Sequence, residues 1–177
     1  LAHLDVALQH PCALIANALG TPPAEAIERA HRGGIRVAAL CGKVKQAKAH
    51  KAAGVDIVVA QGWEAGGHTG EISTMVLVPE VGDVMGDTPV LAAGGIGSGR
   101  QIAASLCLGA QGAWMGSVWL TAREAVPYSP DVVIEKLLEA GSGDTVRSRA
   151  ISGKPARQLR TAWTEAWESK ESPGTLP

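Results

Sequence analysis

The middle of the chain reads Val55-Asp56-Ile57-Val58-Val59-Ala60-Gln61-Gly62-Trp63-Glu64-Ala65-Gly66-Gly67-His68. Its first half is a continuous apolar run, typical of a strand that is covered on both faces in a parallel sheet. Its second half is rich in glycine, which adopts positive φ and lets the backbone approach a ligand closely. His68 stands in that loop, and an imidazole that titrates near neutrality is a candidate base or ligand-binding group there.

The same plan, a short apolar run that ends in glycine and is followed by a helical pattern, occurs five times. The runs are 14–20, 37–42, 57–62, 90–95 and 113–117. A strand pattern is also expected to begin close to the start of the chain. Strands that alternate with helices form right-handed βαβ units. The pattern therefore predicts an α/β fold with a parallel sheet, either open and doubly wound or part of an eight-stranded barrel.

Helix boundaries are predicted from capping residues. Thr21 is expected to cap a helix with Pro22 at its first position, and glycines after residue 32 should end it. A second helix is expected over 44–53, ending at Gly54. Ser98 and Gln101 form a candidate capping box for a third helix.

The C-terminal third contains two more helical patterns, 130–140 and 161–168. In the second, Trp163 and Trp167 are spaced i, i+4 for packing. The stretch 148–160 between them is polar and basic, and we expect its charges to form a solvated surface. The basic residues in and beside it are Arg147, Arg149, Lys154, Arg157 and Arg160.

Size and composition predict one globular domain over residues 1–177, with 46% hydrophobic and 19% charged residues. The net charge of −1 gives no electrostatic reason to expect a nucleic-acid partner. With no bilayer-spanning apolar run and no signal peptide, a cytoplasmic protein without a membrane partner is expected. The three cysteines are predicted to be reduced and mostly buried, and the histidines lack the spacing of a metal site.

The loop after the fourth strand is the candidate phosphate-binding segment. It reads Gly94-Gly95-Ile96-Gly97-Ser98-Gly99 and leads into a helix, whose N-terminus favours anions. Met115-Gly116-Ser117 ends the next strand, so the two loops should lie side by side, as in β/α barrels that hold a phosphate there. The order of residues matches neither a dinucleotide-binding fingerprint nor a Walker loop.

Several motifs, in one order, carry a family resemblance. They are Gln61-Gly62-x-Glu64-Ala65-Gly66-Gly67-His68-x-Gly70, Ala92-Ala93-Gly94-Gly95-Ile96, Gly109-Ala110-Gln111-Gly112-x-x-x-Gly116-Ser117 and Ser152-Gly153-Lys154-Pro155-Ala156-Arg157. Together they resemble the nitronate monooxygenase family, FMN enzymes formerly called 2-nitropropane dioxygenases. The resemblance starts at about the fourth strand of the family's barrel and covers nearly the whole chain.

The resemblance implies a (β/α)8 TIM barrel that binds FMN at the carboxyl ends of its strands. The chain is expected to supply about the last five βα units and the C-terminal helices. His68 would lie beside the flavin as the catalytic base. The implied FMN-binding residues are Gln61, Gly66, Gly94, Gly95, Trp114, Met115, Gly116 and Ser117. Trp114 stands where the family often has glutamine, so only backbone contacts would be kept there.

The implied reaction is oxidation of alkyl nitronates or nitroalkanes with O2 to carbonyl compounds and nitrite. An FMN-dependent enoyl-acyl-carrier-protein reductase that uses NADH has a similar histidine loop and glycine turn, and is the alternative. A non-catalytic remnant is a third interpretation. The physiological substrate, the use of NAD(P)H and the oligomeric state stay open.

Overall fold

The computed structural model describes residues 2–125 and 130–172. The described residues divide into two compact units. The first unit contains the chain up to Trp63 and then Gly70–Trp114. The second unit contains Glu64–Thr69 and the described part of the chain from Met115 onward. Each unit has a sheet of its own.

The described residues form eight strands and seven α-helices. The described strands are β1 (Leu14–Asn17), β2 (Arg36–Cys41), β3 (Ile57–Gln61), β4 (Gly67–His68), β5 (Val90–Ala93), β6 (Gly112–Trp114), β7 (Thr145–Ser148) and β8 (Ala156–Leu159). The described α-helices are α1 (Ala2–Ala7), α2 (Ala24–Arg32), α3 (Val44–Ala52), α4 (Thr74–Met85), α5 (Gly99–Cys107), α6 (Asp131–Glu139) and α7 (Ala162–Glu168).

The first unit is built on a five-stranded parallel sheet in the order β1-β2-β3-β5-β6. Helices connect successive strands, which confirms the predicted α/β fold. Among the described residues no further strand joins this sheet, so β1 and β6 are its edges. The described part of the chain therefore supplies five parallel strands without closing a barrel.

The core of the first unit lies between the sheet and its helices. Alternate residues of each central strand point to the helix side, as the two-residue period of a strand requires. From α4, Leu77, Val78, Val81 and Met85 are completely buried against them. Each such side chain contributes about 1.5–3 kcal/mol relative to an exposed one. The strand residues in this core are Val37, Ala39, Cys41, Val58, Ala60, Val90 and Ala92.

Two local predictions for the first unit are wrong at their N-terminal ends. The expected early strand is helix α1, in which Asp5 forms an ion pair with Arg29 of α2. Thr21 does not cap α2, whose N-cap is Pro23. The Thr21 hydroxyl instead lies 3.0 Å from Nδ1 of the buried His50. A residue that is distant in the chain therefore takes the place of the predicted capping contact. The stops at Gly33 and Gly54 are confirmed, with Gly54 at φ +88°.

The second unit contains a three-stranded antiparallel sheet in the order β4-β8-β7. The expectation of a solvated stretch over 148–160 is therefore wrong in part. Arg157 Nη1 donates to Thr145 Oγ1 at 3.1 Å, and both Arg147 and Arg157 are half-buried. Arg149, Lys154 and Arg160 are exposed as predicted.

Helices α6 and α7 of the second unit confirm the two predicted C-terminal helices. Thr161 caps α7 by accepting the Thr164 N–H at 3.3 Å. The rings of Trp163 and Trp167 lie with centroids 5.8 Å apart, as their i, i+4 spacing predicts. No described helix combines the length and apolarity that crossing a bilayer requires.

The three cysteines are free thiols, but they differ in exposure. Cys41 is buried and Cys12 is half-buried. Cys107 is exposed, so the prediction of mostly buried thiols fails at that position. Burial raises the pKa of the Cys41 thiol to about 12, against the weaker opposing effect of a backbone hydrogen bond at Lys43.

Candidate functional site

Two of the predicted residues share one row at the carboxyl edge of the parallel sheet. Gln61 at the end of β3 pairs with Ala93, which in turn pairs with Trp114 at the end of β6. Paired residues of neighbouring strands point to the same face. Because Ala60 and Ala92 face the helices, Gln61 and Trp114 face the opposite side. Both side chains are half-buried.

The loop after β5 has the backbone that an anion-binding turn needs. Gly94 and Gly95 lie at φ +114° and +70°, backbone conformations that residues with a side chain rarely adopt. Among the described residues, the N–H groups of Gly95 and Ile96 donate no hydrogen bond. The turn therefore presents free donors next to the N-terminus of α5, as phosphate binding requires.

The side chain of Gln101 holds this loop in shape. Its Nε2 donates to Gly95 O at 2.6 Å, and its Oε1 accepts the Gly97 N–H at 2.9 Å. Oε1 also accepts the Ser98 hydroxyl at 3.0 Å. Ser98 is the N-cap of α5, as predicted, but its side chain makes no cap bond to the helix backbone. The expected capping box is therefore replaced by a brace from Gln101 across the glycine loop.

Close backbone contacts fix the segment that follows the histidine loop in the first unit. A Cβ added at Gly62 would lie 2.2 Å from Thr74 Oγ1 and 2.4 Å from Thr74 N. Thr74 Oγ1 also donates to Gly94 O at 3.1 Å. A Cβ added at Gly70 would lie 3.1 Å from Gly42 O. The loops that follow β2, β3 and β5 are thus tied together by the segment 70–74.

In the second unit, His68 is an exposed residue on a short strand that is fixed by backbone pairing. Strand β4 pairs with β8, with His68 opposite Ala156 and Gly67 opposite Arg157. The carbonyl of Thr69 accepts a hydrogen bond from Arg147 Nη2 at 2.9 Å. The backbone of His68 is therefore held from two sides while its ring stays accessible.

The ring of His68 has one hydrogen-bonding partner that the sequence patterns did not single out. Its Nε2 lies 2.6 Å from Ser152 Oγ, in the turn that joins β7 to β8. The two residues are 84 positions apart in the chain, so no local spacing could reveal the contact. The only signal was the occurrence of Ser152 in the last of the four motifs.

The other predicted residues of the second unit gather near the start of a 3₁₀ helix, Ser117–Thr121. A Cβ added at Gly66 would lie 2.9 Å from Ser117 Oγ, closer than side-chain contacts allow. Gly116 is the N-cap of this helix and is exposed, while Met115 is half-buried. Glycine at position 66 therefore leaves room beside the Ser117 hydroxyl that any side chain would fill.

Two other polar groups of the first unit, Asp56 and His50, have structural partners. Burial acts to raise the pKa of Asp56, but hydrogen bonds from Val37 N–H and His31, with the charges of His31 and Arg36, lower it overall. His50 is completely buried, with Nε2 3.0 Å from Leu40 O. Glu64, Glu71 and Arg100 are exposed.

In the described part of the chain, no cluster of candidate metal ligands coincides with these residues. Within the described ranges, no three His, Cys, Asp or Glu side chains are grouped as a metal site would need. Two concavities of the second unit, one at Val146 and Glu168 and one at Lys136 and Leu159, contain none of the predicted residues.

The chain is similar in sequence to a known protein family and to curated proteins. A sequence profile described as nitronate monooxygenase matches residues 1–177. The Mycobacterium tuberculosis (strain ATCC 25618 / H37Rv) protein Rv1533, named as a monooxygenase, is 62% identical over 173 residues, which are 98% of this chain and 46% of that protein.

Two solved structures are similar to the chain over most of its length. The chain superposes on nitroalkane oxidase from Streptomyces ansochromogenes with a TM-score of 0.86 and 34% identity, covering 94% of this chain and 50% of that one. It superposes on FabK from Thermotoga maritima with a TM-score of 0.83 and 34% identity, covering 92% of this chain and 51% of that one. The fold is the α/β fold of these TIM-barrel enzymes, and the chain spans about half the length of the curated relatives it matches.

Proposed function

The chain belongs to the nitronate monooxygenase family, and from this premise we propose that the full-length protein oxidises alkyl nitronates and nitroalkanes with O2. The products would be carbonyl compounds and nitrite. Family membership makes the protein an oxidoreductase at the family level. The proposal includes the substrate and the cofactor. It also includes a cytoplasmic location and a single FMN-binding domain over residues 1–177.

FMN is the cofactor that we propose, and the residues present fit a flavin phosphate. Gly94 and Gly95 have the backbone conformation of an anion-binding turn, and Gly95 and Ile96 carry its free N–H groups. Gly66 leaves space beside Ser117. When bound, FMN supplies the redox chemistry, while the protein supplies binding and electrostatics. The residues that would hold it are Gln61, Gly66, Gly94, Gly95, Trp114, Met115, Gly116 and Ser117.

The observation that carries the proposal is the placement of His68, an accessible imidazole on a strand that is fixed by backbone pairing. In its neutral form the ring accepts the proton from the carbon next to the nitro group. The C–H bond breaks, its electron pair stays on the substrate as the anionic nitronate, and the proton moves to the ring. The resulting imidazolium then stabilises the nitronate by its charge. A positioned base of this kind contributes about 10²–10⁴ to the rate.

Turnover of two substrates distinguishes a role of His68 as a base from a merely structural role. A nitroalkane must lose a proton, whereas a preformed nitronate has already lost it. In the FMN-loaded full-length protein, His68→Asn should lower turnover of the nitroalkane by about 10²–10⁴ and turnover of the nitronate much less. The matched control is His10→Asn, at an exposed histidine outside both candidate loops.

Equal loss on both substrates would contradict the base role, and full nitroalkane turnover in His68→Asn would exclude it. Oxidation of NADH with an enoyl thioester, in place of O2 uptake with a nitronate, would favour the reductase alternative. A full-length protein without flavin absorption bands would exclude both enzymes.

A further inference from the structure

We propose that Ser152 is a positioning residue for His68. Its hydroxyl oxygen accepts the Nε2–H of the ring and thereby leaves Nδ1 as the nitrogen that takes the proton of the substrate. This inference rests on the proposed function of His68 as a base, and it adds which ring nitrogen acts and what selects it.

The contact between His68 and Ser152 is short, and the strand that carries His68 is fixed by backbone pairing. Nε2 of His68 lies 2.6 Å from Ser152 Oγ, a short hydrogen bond for a nitrogen and an oxygen. Strand β4 is paired with β8, which begins four residues after Ser152. The backbone pairing and the side-chain contact therefore fix the ring from the same hairpin.

The turn that carries Ser152 is itself braced at three points. The Gly153 N–H donates to Arg149 O at 2.9 Å, and Gly153 lies at φ +73°. The Ala150 N–H donates to Ser148 Oγ at 3.2 Å, and Trp163 Nε1 of α7 donates to Ala150 O at 3.0 Å. These bonds fix the backbone on both sides of Ser152.

Ser148, at the base of this turn, is anchored as well. It is only 2% exposed, and its hydroxyl donates to Glu168 Oε1 at 2.6 Å. The turn is thus tied to α7 by Ser148 and by Trp163. A serine held in this way can hold a ring in place, whereas a mobile loop serine could not.

The chemistry of the base selects one of the two neutral forms of the ring. If Ser152 donated to Nε2, Nδ1 would carry the hydrogen and neither nitrogen would have a free lone pair for the substrate. If Nε2–H donates to Ser152, Nδ1 keeps its lone pair, and the residue is exposed. The same hydrogen bond persists when the ring becomes charged, and a charged donor strengthens it.

The test measures the tautomer directly, without relying on turnover. In the FMN-loaded full-length protein labelled with ¹⁵N-histidine, His68→Asn identifies the His68 resonances. We expect Nε2 to resonate as a protonated nitrogen and Nδ1 as an unprotonated one at neutral pH. Ser152→Ala should give a mixture of both tautomers, and Ser152→Thr, which keeps a hydroxyl, should restore the single form.

Kinetics supply the second readout. Ser152→Ala should lower kcat on a nitroalkane by about tenfold or more, within the 10²–10⁴ that a whole base contributes, and leave KM nearly unchanged. Ser152→Thr should stay close to the unsubstituted protein. The matched control is Ser169→Ala, at an exposed serine whose hydroxyl donates to Ala166 O of its own helix.

A His68 ring in the Nδ1–H form in the unsubstituted protein would overturn the proposal. So would a Ser152→Ala variant with unchanged tautomer and unchanged kcat. If the tautomer is fixed by Ser152 but nitroalkanes are not turned over, the pairing stands and the proposed function fails.

Discussion

Gly62→Ala should destabilise the protein through a clash that the structure locates to one contact. The new Cβ would lie 2.2, 2.4 and 2.6 Å from Oγ1, N and Cα of Thr74. Two of these atoms belong to the backbone at the first residue of α4, so relief requires the helix or the end of β3 to move. Such overpacking costs about 1–3 kcal/mol.

The same movement should break the hydrogen bond from Thr74 Oγ1 to Gly94 O, which is worth about 0.5–1.5 kcal/mol. We therefore expect the free energy of unfolding to fall by about 1.5–4.5 kcal/mol. Urea titrations of the full-length protein, followed by far-UV circular dichroism, measure this change as a lower midpoint at constant slope.

The matched control is Gly99→Ala. A Cβ added there meets no heavy atom within 4 Å, and the backbone at Gly99 has no positive φ. Alanine at this position should leave stability unchanged or raise it by about 0.4–1 kcal/mol. If Gly62→Ala proved as stable as Gly99→Ala, the close approach of β3 and α4 would be refuted.

Two further predictions concern titratable groups of the first unit. Because the pKa of Asp56 is lowered in the folded state, its carboxylate stabilises the fold above its ordinary range near pH 4 and loses that effect as the pH falls through the folded value. Asp56→Asn should therefore unfold with a weaker dependence on pH between 7 and 3 in urea titrations, and an unchanged dependence would contradict the assignment. Cys107 should react with a thiol reagent within the folded protein, whereas Cys41, buried and with its pKa raised to about 12, should react only on unfolding. Labelling followed by peptide mass analysis measures this order, and equal rates would refute it.

The parallel sheet was predictable from the sequence because its signal is local. Each central strand is a continuous apolar run that ends near a glycine, and each connecting helix has a recognisable stop such as Gly54. The same pattern predicted an accessible His68, but it placed the residue in a loop and not on strand β4. The alignment of Gln61, Ala93 and Trp114 could be predicted from the expectation that neighbouring strands pair in register.

The antiparallel sheet was not predictable, because its strands are short and polar and pair over long distances. Strand β4 has two residues, and β7 and β8 have four each with an arginine in both. Their stability comes from contacts across the hairpin and not from local propensity. For the same reason the Ser152 partner of His68 and the Thr21 partner of His50 were missed. Local rules assigned Thr21 to a cap and left Ser152 without a contact.

Oxygen consumption by the FMN-loaded full-length protein tests the central claim most directly. The substrate is propionate 3-nitronate, and NADH is left out. We expect uptake of O2 together with release of nitrite. Absence of uptake, with NADH consumed only when an enoyl thioester is added, would contradict it.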